Sequence, residues 1–412
     1  MPRPDTTRQQ DFAGRAKTLL FLLFVFFLFA YLGVRLSPAV QGTDFPDFYT
    51  AARMLADGRG HQLYDAEVQR RYQARYAARV GTLYIHPPFE AVLYLGVAWL
   101  PLKYAYLLWS LLNLVFLAAS CCILARELLQ RWDWRIMLAA SLAFVPLALC
   151  IQQGQDSLLL LLLIVLAFTR LRRGDAFAAG CWLGLGLFKF QLVLPLAVVL
   201  LLRRNSSARY ALAKGFGLIT FVLVGLSPAI SGWSVFRAYP AFLSRLGAQK
   251  FAGVFPRAMA NFRGSIYFFL HSDRSTAAIA AVCIGSMLAL LATLFVWNGP
   301  RRPATALPAV ESRDDFDLAF VNTVLFALLV SYHLNPHDLT LLLLPIAVLL
   351  YRAFAPAART ADRITAGLAG ILFLPPLHLW ALQRNAYALI SIPVLLLFVI
   401  TASIAARSID VS

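Results

Sequence analysis

Apolar runs of about twenty residues, joined by short polar stretches, fill most of this chain. As a helix, such a run covers roughly 30 Å, the thickness of a bilayer's hydrocarbon core. A membrane barrel would instead show alternating segments of about ten residues. The runs predict spans near 18–37, 104–126, 135–151, 156–171, 175–188, 190–202, 209–230, 276–298, 316–333, 338–355, 363–382 and 387–406. That is an all-α, polytopic transmembrane bundle of about twelve helices. The fifth and sixth runs are short and form one broken hairpin with Lys189 at its tip. The first run is longer than the apolar core of a signal peptide, so it is expected to stay as an uncleaved helix.

Pro87 to Leu100 is apolar too, but short and bracketed by Pro87, Pro88 and Pro101. Counted as a span, it would flip every later loop and put Arg126, Arg131, Arg135, Arg170, Arg172 and Arg173 outside. Laid flat at the outer interface, it leaves all the short arginine-bearing loops in the cytoplasm, as positively charged loops require. The second arrangement is the one expected. It gives one membrane domain, residues 1–412, with an outer loop at 38–103 holding interfacial helices and a second outer loop at 231–275.

Composition agrees with this class. The chain is 60% hydrophobic and 14% charged, where a soluble domain carries roughly 25% charged residues. A net charge of +17 would suit nucleic acid if it were spread over an exposed face. Here the arginines collect in short cytoplasmic loops, so they set orientation and no nucleic-acid partner is expected. The cysteines Cys121, Cys122, Cys150, Cys181 and Cys283 lie inside apolar runs without C-x-x-C spacing. They read as small hydrophobes.

Sidedness then singles out the candidate chemistry. All six histidines, namely His61, His86, His271, His333, His337 and His378, fall on the outer side or at the outer end of a span. So do Asp44, Asp47, Asp65, Gln152, Gln153, Gln155, Asp156, Lys189, Arg257 and Arg263. Titratable groups gathered on one face of a membrane protein point to an active site there. Asp44 and Asp47, in the stretch QGTDFPDFYTAARMLADG, suit a general base that accepts a hydroxyl proton. Asp47, with Thr43 or Asp44, equally suits the cap of the helix that follows. Asp65 fits a turn, and Glu90 fits the first turn of the interfacial helix, where the dipole favours a carboxylate.

His86 either binds a phosphate or is a solvated rim residue. Within QQGQD, Asp156 reads as the cap of the next span, and Gln155 either satisfies backbone or bonds a sugar. Lys189, a cation inside an apolar hairpin, suits an anionic group such as phosphate. His333 and His337 have a spacing that zinc pairs also use. Pro336 intervenes and no third ligand is apparent, so a phosphate or sugar hydroxyl is the better ligand and no metal is expected.

The stretches DFPDFYTAARMLADG, HPPFEAVLYL, GQDSLLLLLLIVL, AGCWLGLGLFKFQLVLPLAVVLLLRR, NFRGS and SYHLNPHDL, taken in order, resemble successive motifs of the glycosyltransferase family 87 group. That group is similar to the wider GT-C class of membrane sugar transferases. The resemblance implies a polyprenyl-phosphate sugar donor, of mannose or arabinose type, and a lipid or glycan acceptor. It implies the outer (periplasmic or extracellular) face of a bacterial cytoplasmic membrane, and no cofactor. Asp44 matches the family's loop aspartate and would be the base, with Asp47 a possible second acid. Lys189 matches the lysine of the glycine-rich hairpin, and His333 or His337 the late histidine. Lys189, His333, His337, Arg257, Arg263, Gln155 and His86 would then hold the donor's phosphate and sugar. The rival classes are a lipid or polysaccharide transporter, which would place polar groups near the bilayer midplane, and a non-catalytic scaffold for envelope assembly.

Overall fold

The computed structural model describes residues 43–76, 82–128, 133–204, 206–246, 255–272, 274–299, 313–355 and 358–411. The predicted first span, 18–37, lies outside them. The described residues are helical, with no strand among them. Two amphipathic helices, α1 (Phe45–Ala56) and α2 (Ala66–Tyr76), open the described chain. A 3-10 helix, Pro88–Tyr94, then runs into the single turn Leu95–Ala98. Prolines at its start and just beyond it keep this piece short, as the sequence predicts.

The bundle follows: α3 (Leu102–Leu128), α4 (Trp134–Ser141), α5 (Val145–Gln153), α6 (Ser157–Arg172), α7 (Ala176–Leu185) and α8 (Phe190–Leu202). Next come α9 (Ser206–Ser231), α10 (Trp233–Leu246), α11 (Phe262–Leu270) and α12 (Thr276–Asn298). The last are α13 (Arg313–Val330), α14 (Leu343–Ala353), α15 (Thr360–Phe373), α16 (Pro375–Gln383) and α17 (Ser391–Val411). The described residues of the stretch 231–275 are largely helical.

Six helices among the described residues are long and apolar enough to cross a membrane, or eight if the bent pairs α4–α5 and α15–α16 each count as one crossing. This is fewer than the runs in the sequence, for definite reasons. Helix α6 has only 16 residues, and α13 starts with Arg313, Asp314, Asp315 and Asp317. The runs 175–188 and 190–202 join through a 3-10 turn, Gly186–Lys189, into one apolar segment.

That segment does not run straight. The far end of α8 reaches α12, where Asn298 donates to the Leu202 carbonyl at 3.2 Å and the Arg203 guanidinium lies over Trp297. Trp297 packs on Phe316, and Phe316 on Phe168 near the end of α6. Both ends of the segment therefore lie at one face, and Lys189 is the tip of a hairpin. Twenty-seven residues in a straight helix would separate those ends by roughly 40 Å.

Helices α6 and α13 are apolar on nearly every side and form the buried centre. Helices α9 and α12 turn apolar side chains outward, Phe221 being 78% and Ile284 60% exposed, the pattern expected of a lipid-facing surface. Helix α7 meets α9 at a glycine seam. A Cβ on Gly180 would strike the Leu212 carbonyl, and one on Gly215 the Phe177 carbonyl. Small residues let two backbones approach this closely.

The end of the bundle shared by α3, α6, α8, α12 and the start of α13 is rich in arginine, and its charges are matched. Arg172 forms a bidentate pair with Asp317 at 3.0 and 3.1 Å. Arg173 pairs with Glu127, and Arg352 with Asp362 at 3.0 Å. The opposite end holds the cavity.

Candidate active site

At that opposite end a cavity of about 510 Å³ lies between α1, residues 82–86, the start of α6, the Lys189 turn and the segment after α13. Asp44, Asp47, Thr82, His86, Gln155, Lys189, Gln191, His333, Asn335, His337 and Asp338 line it. Seven of the nine residues singled out as donor-binding or acidic meet there, although they span nearly 300 positions of sequence. Arg257 and Arg263 do not line it.

Asp44 closes α1 at its N-terminal end without capping it: its side chain accepts nothing from the helix backbone. The carboxyl turns instead to Gln155, whose Nε2 donates to Asp44 Oδ2 at 2.6 Å, while the Asp44 N–H donates to Gln153 Oε1 at 3.2 Å. Between the two glutamines Gly154 ends α5 at φ +66°, and a Cβ there would collide with the Phe45 ring. Glycine is the residue that both adopts that conformation and lets α1 sit so close. Burial pushes the Asp44 carboxyl above the usual carboxylate range, opposed by the Gln155 hydrogen bond and the Lys189 charge.

Asp47 is not a cap either. It lies one turn into α1, buried, with Gln73 Nε2 donating to Oδ1 at 2.9 Å and the Thr82 hydroxyl donating to Oδ2. Burial pushes it well up. The helix starts with Pro46 in its first turn, which needs no N–H there. Asp65, by contrast, caps α2, accepting from the N–H groups of Glu67 and Val68.

The Lys189 ammonium is fully buried in a cage of acids. It lies 2.8 Å from Asp338 Oδ1, 3.2 Å from Asp156 Oδ1 and 3.2 Å from Gln155 Oε1. Asp338 also accepts from Ser157 Oγ at 2.8 Å and from the Asn335 N–H at 2.9 Å. Asp156 does not cap α6 with its side chain, contrary to the sequence reading. Its carboxylate meets the lysine and the Glu90 carboxyl behind it. The cation seen in the sequence therefore arrives with two counter-ions. Asp338 follows His337 directly and was legible, but the histidine spacing drew attention away from it. Asp156 and Glu90 were hidden because helix-start acids are usually structural.

His86 stands against Phe48, ring centroids 5.0 Å apart, and its Nδ1 is 2.9 Å from Glu90 Oε2. Phe48 stacks in turn on Tyr94 at 4.7 Å, and Tyr94 packs on Trp109. His86 is thus a wall residue held by an aromatic stack rather than a solvated rim residue. Burial lowers its pKa to about 3 and that of His333 to about 4. His333 Nε2 is 3.2 Å from Asn335 Nδ2. Arg263 covers the neighbouring Tyr332 ring at 4.3 Å and donates to its carbonyl at 3.2 Å. It fixes the turn from behind. Arg257 lies over Tyr267, away from the cavity. Asn261 caps α11 and donates to the Ser331 carbonyl at 2.6 Å, tying α11 to the same turn. His378 bonds Tyr387 and the Leu372 carbonyl, a packing role.

Residues 84–331 match glycosyltransferase family 87. The chain belongs to that family. No curated protein and no solved structure matches it. Membership makes the chain a membrane glycosyltransferase. The matched span holds His86, Glu90, Gln155, Asp156 and Lys189. Asp44 lies forty residues before its start and the His333–Asp338 turn just after its end, and the fold brings both to it. In this family-87 member the cavity joins three acids, one ammonium and three imidazoles, which equips it to take a proton from a hydroxyl and to hold an anion.

Proposed function

We propose that this chain is an inverting transferase that moves a sugar of mannose or arabinose type from a polyprenyl-phosphate donor to a hydroxyl of a lipid or glycan acceptor. The reaction takes place at the outer face of a bacterial cytoplasmic membrane, in a GT-C-like helical bundle. The observation that carries the reading is the placement of Asp44: a carboxyl held by Gln155 in the same cavity as Lys189, His86, His333 and His337.

Asp44 accepts the acceptor's proton as its oxygen attacks the anomeric carbon. The raised pKa matches this work, since a base with more proton affinity than a free carboxylate is a better acceptor in the transition state. The donor phosphate lies against the imidazoles and Lys189 and departs from the opposite face of the sugar, so a single displacement inverts the centre. Groups fixed before the reaction stabilise the charge that grows on that phosphate without reorganising. Lys189 is shared with Asp156 and Asp338, so it orders the floor of the site, and the imidazoles along the wall meet the phosphate. The prenyl tail stays in lipid beside the bundle.

The test is purified protein in nanodiscs, supplied with a panel of prenyl-phosphate sugars and an acceptor lipid extract, with products read by mass spectrometry. A glycosylated lipid is expected, lost in Asp44→Asn while donor binding is retained. Movement of labelled lipid across liposomes with no glycosidic product would overturn the reading in favour of a transporter.

A further inference from the structure

Glu90 is buried beneath the cavity wall, 0% exposed, in the first turn of the 3-10 helix Pro88–Tyr94. No lysine or arginine forms an ion pair with it among the described residues. Its polar neighbours are His86, four residues earlier, at 2.9 Å from Oε2 to Nδ1, and the side chains of Asp156 and Tyr84. The imidazole of His86 reaches the cavity on its other side. Behind Glu90 stands Asp156, whose carboxylate pairs with Lys189 and faces the Glu90 carboxyl. Of these three buried carboxyl groups, Asp156 and Asp338 divide the Lys189 ammonium, and Glu90 lies beside Asp156 with no cation of its own. If all were ionised the cluster would carry an uncompensated negative charge in a low-dielectric interior, which is strongly unfavourable.

From this arrangement we propose that Glu90 holds a proton and delivers it, through His86, to the phosphate that leaves the sugar. This deepens the function proposed above and rests on it. At rest the Glu90 O–H donates to His86 Nδ1, and His86 carries its own proton on Nε2, facing the cavity. As the bond between the anomeric carbon and the phosphate oxygen breaks, the electron pair goes to that oxygen. Nε2–H passes to it, the Glu90 proton moves to Nδ1, and the imidazole stays neutral throughout. The acceptor's proton meanwhile goes to Asp44, so one proton is taken and one given; Glu90 is ionised only until product release, when water in the cavity takes the Asp44 proton and returns one to Glu90 through His86. Glu90 is a positioning and proton-holding residue, and His86 is the group that touches the substrate.

The groups that face the pair agree with the placement. Burial first and the Asp156 charge second push the Glu90 carboxyl well above the ordinary range, with Lys189 and Tyr84 opposing. Burial keeps His86 neutral, at about 3, with Asp156 and Asp338 opposing and Lys189 and His333 reinforcing. Tyr64, Tyr94 and Tyr239 complete the surroundings and respond to the Glu90 charge.

The test compares wild type with Glu90→Gln, which keeps the shape and a hydrogen bond to Nδ1 but has no proton to transfer. Infrared difference spectra are expected to show the carbonyl stretch of a protonated carboxylic acid in wild type and not in the variant. Should the variant fail to fold, isotopically labelled glutamate in wild type must shift that band. With the donor that wild type uses, KM should change less than about twofold, while kcat falls about 10²-fold, the low end for general acid–base catalysis. Glu90→Gln, His86→Gln and the double variant should lose the same factor, because the two act as one path. Absence of the band, a wild-type kcat in Glu90→Gln, or losses that multiply would each overturn the proposal. A wild-type protein that shows the band but turns over no prenyl-phosphate sugar upholds the proton on Glu90 and places the failure in the substrate reading.

Discussion

The two ends of this bundle use the same materials to opposite effect. At the arginine end every buried acid named above has its own guanidinium: Asp317 with Arg172, Asp362 with Arg352. At the cavity end Asp156 and Asp338 divide one lysine, and Glu90 has an imidazole beside it but no cation of its own. Matched pairs of that kind are structural ornaments, often replaceable by apolar residues at no cost to stability. An unmatched cluster is retained against its cost, and such clusters mark functional sites. The difference sets the cavity end apart even before any substrate is considered.

The comparison can be broken or sharpened by substitution. The largest effect is expected at Asp44: Asp44→Asn should lower kcat by about 10³-fold, within the range for a general base, with melting temperature and donor binding unchanged. Next, Asp338→Asn and Asp317→Asn each break a buried pair and should destabilise by about 3–5 kcal/mol in thermal unfolding. Activity per folded molecule should collapse only for Asp338→Asn. Exchanging both partners at the arginine end, Arg172→Met with Asp317→Leu, should leave stability equal or raise it by about 1–4 kcal/mol, and activity intact. Equal activity loss at both ends would erase the contrast.

A smaller effect concerns pH. Because burial raises the Asp44 carboxyl, the group is still protonated, and unable to accept a proton, at pH values where a free carboxylate near 3.9 is ionised. The acidic limb of kcat/KM should therefore lie above that value, activity being lost as pH falls. The smallest expected change is at Arg257, outside the cavity. Arg257→Ala should alter kcat/KM by less than about twofold, as surface substitutions away from a site usually do.

Much of this was legible in the sequence because membranes simplify it. Apolar runs marked the helical stretches, and the separation of histidines from the arginine-bearing loops pointed to residues that the fold brings into one cavity. Lys189 at a hairpin tip was readable from two short runs and a single charge. What the sequence hid was partnership. Nothing in HPPFE marks Glu90 as facing His86 from below, since the same letters open many interfacial helices. Nothing in QQGQD shows that Asp156 faces a lysine rather than its own helix. Arg257 and Arg263 were drawn in by charge alone, and charge says little about direction: one lies over Tyr267, and the other braces Tyr332.

Gly154 ties these threads together. Its left-handed turn lets Phe45 settle against it and sets Gln153 and Gln155 on either side of Asp44. The acid is synthesised more than a hundred residues before the amide that seats it. A ribosome-bound chain that has inserted only its opening segments thus carries Asp44 without the amides that seat it. The cavity wall closes only once α5 has come to rest against the earlier loop.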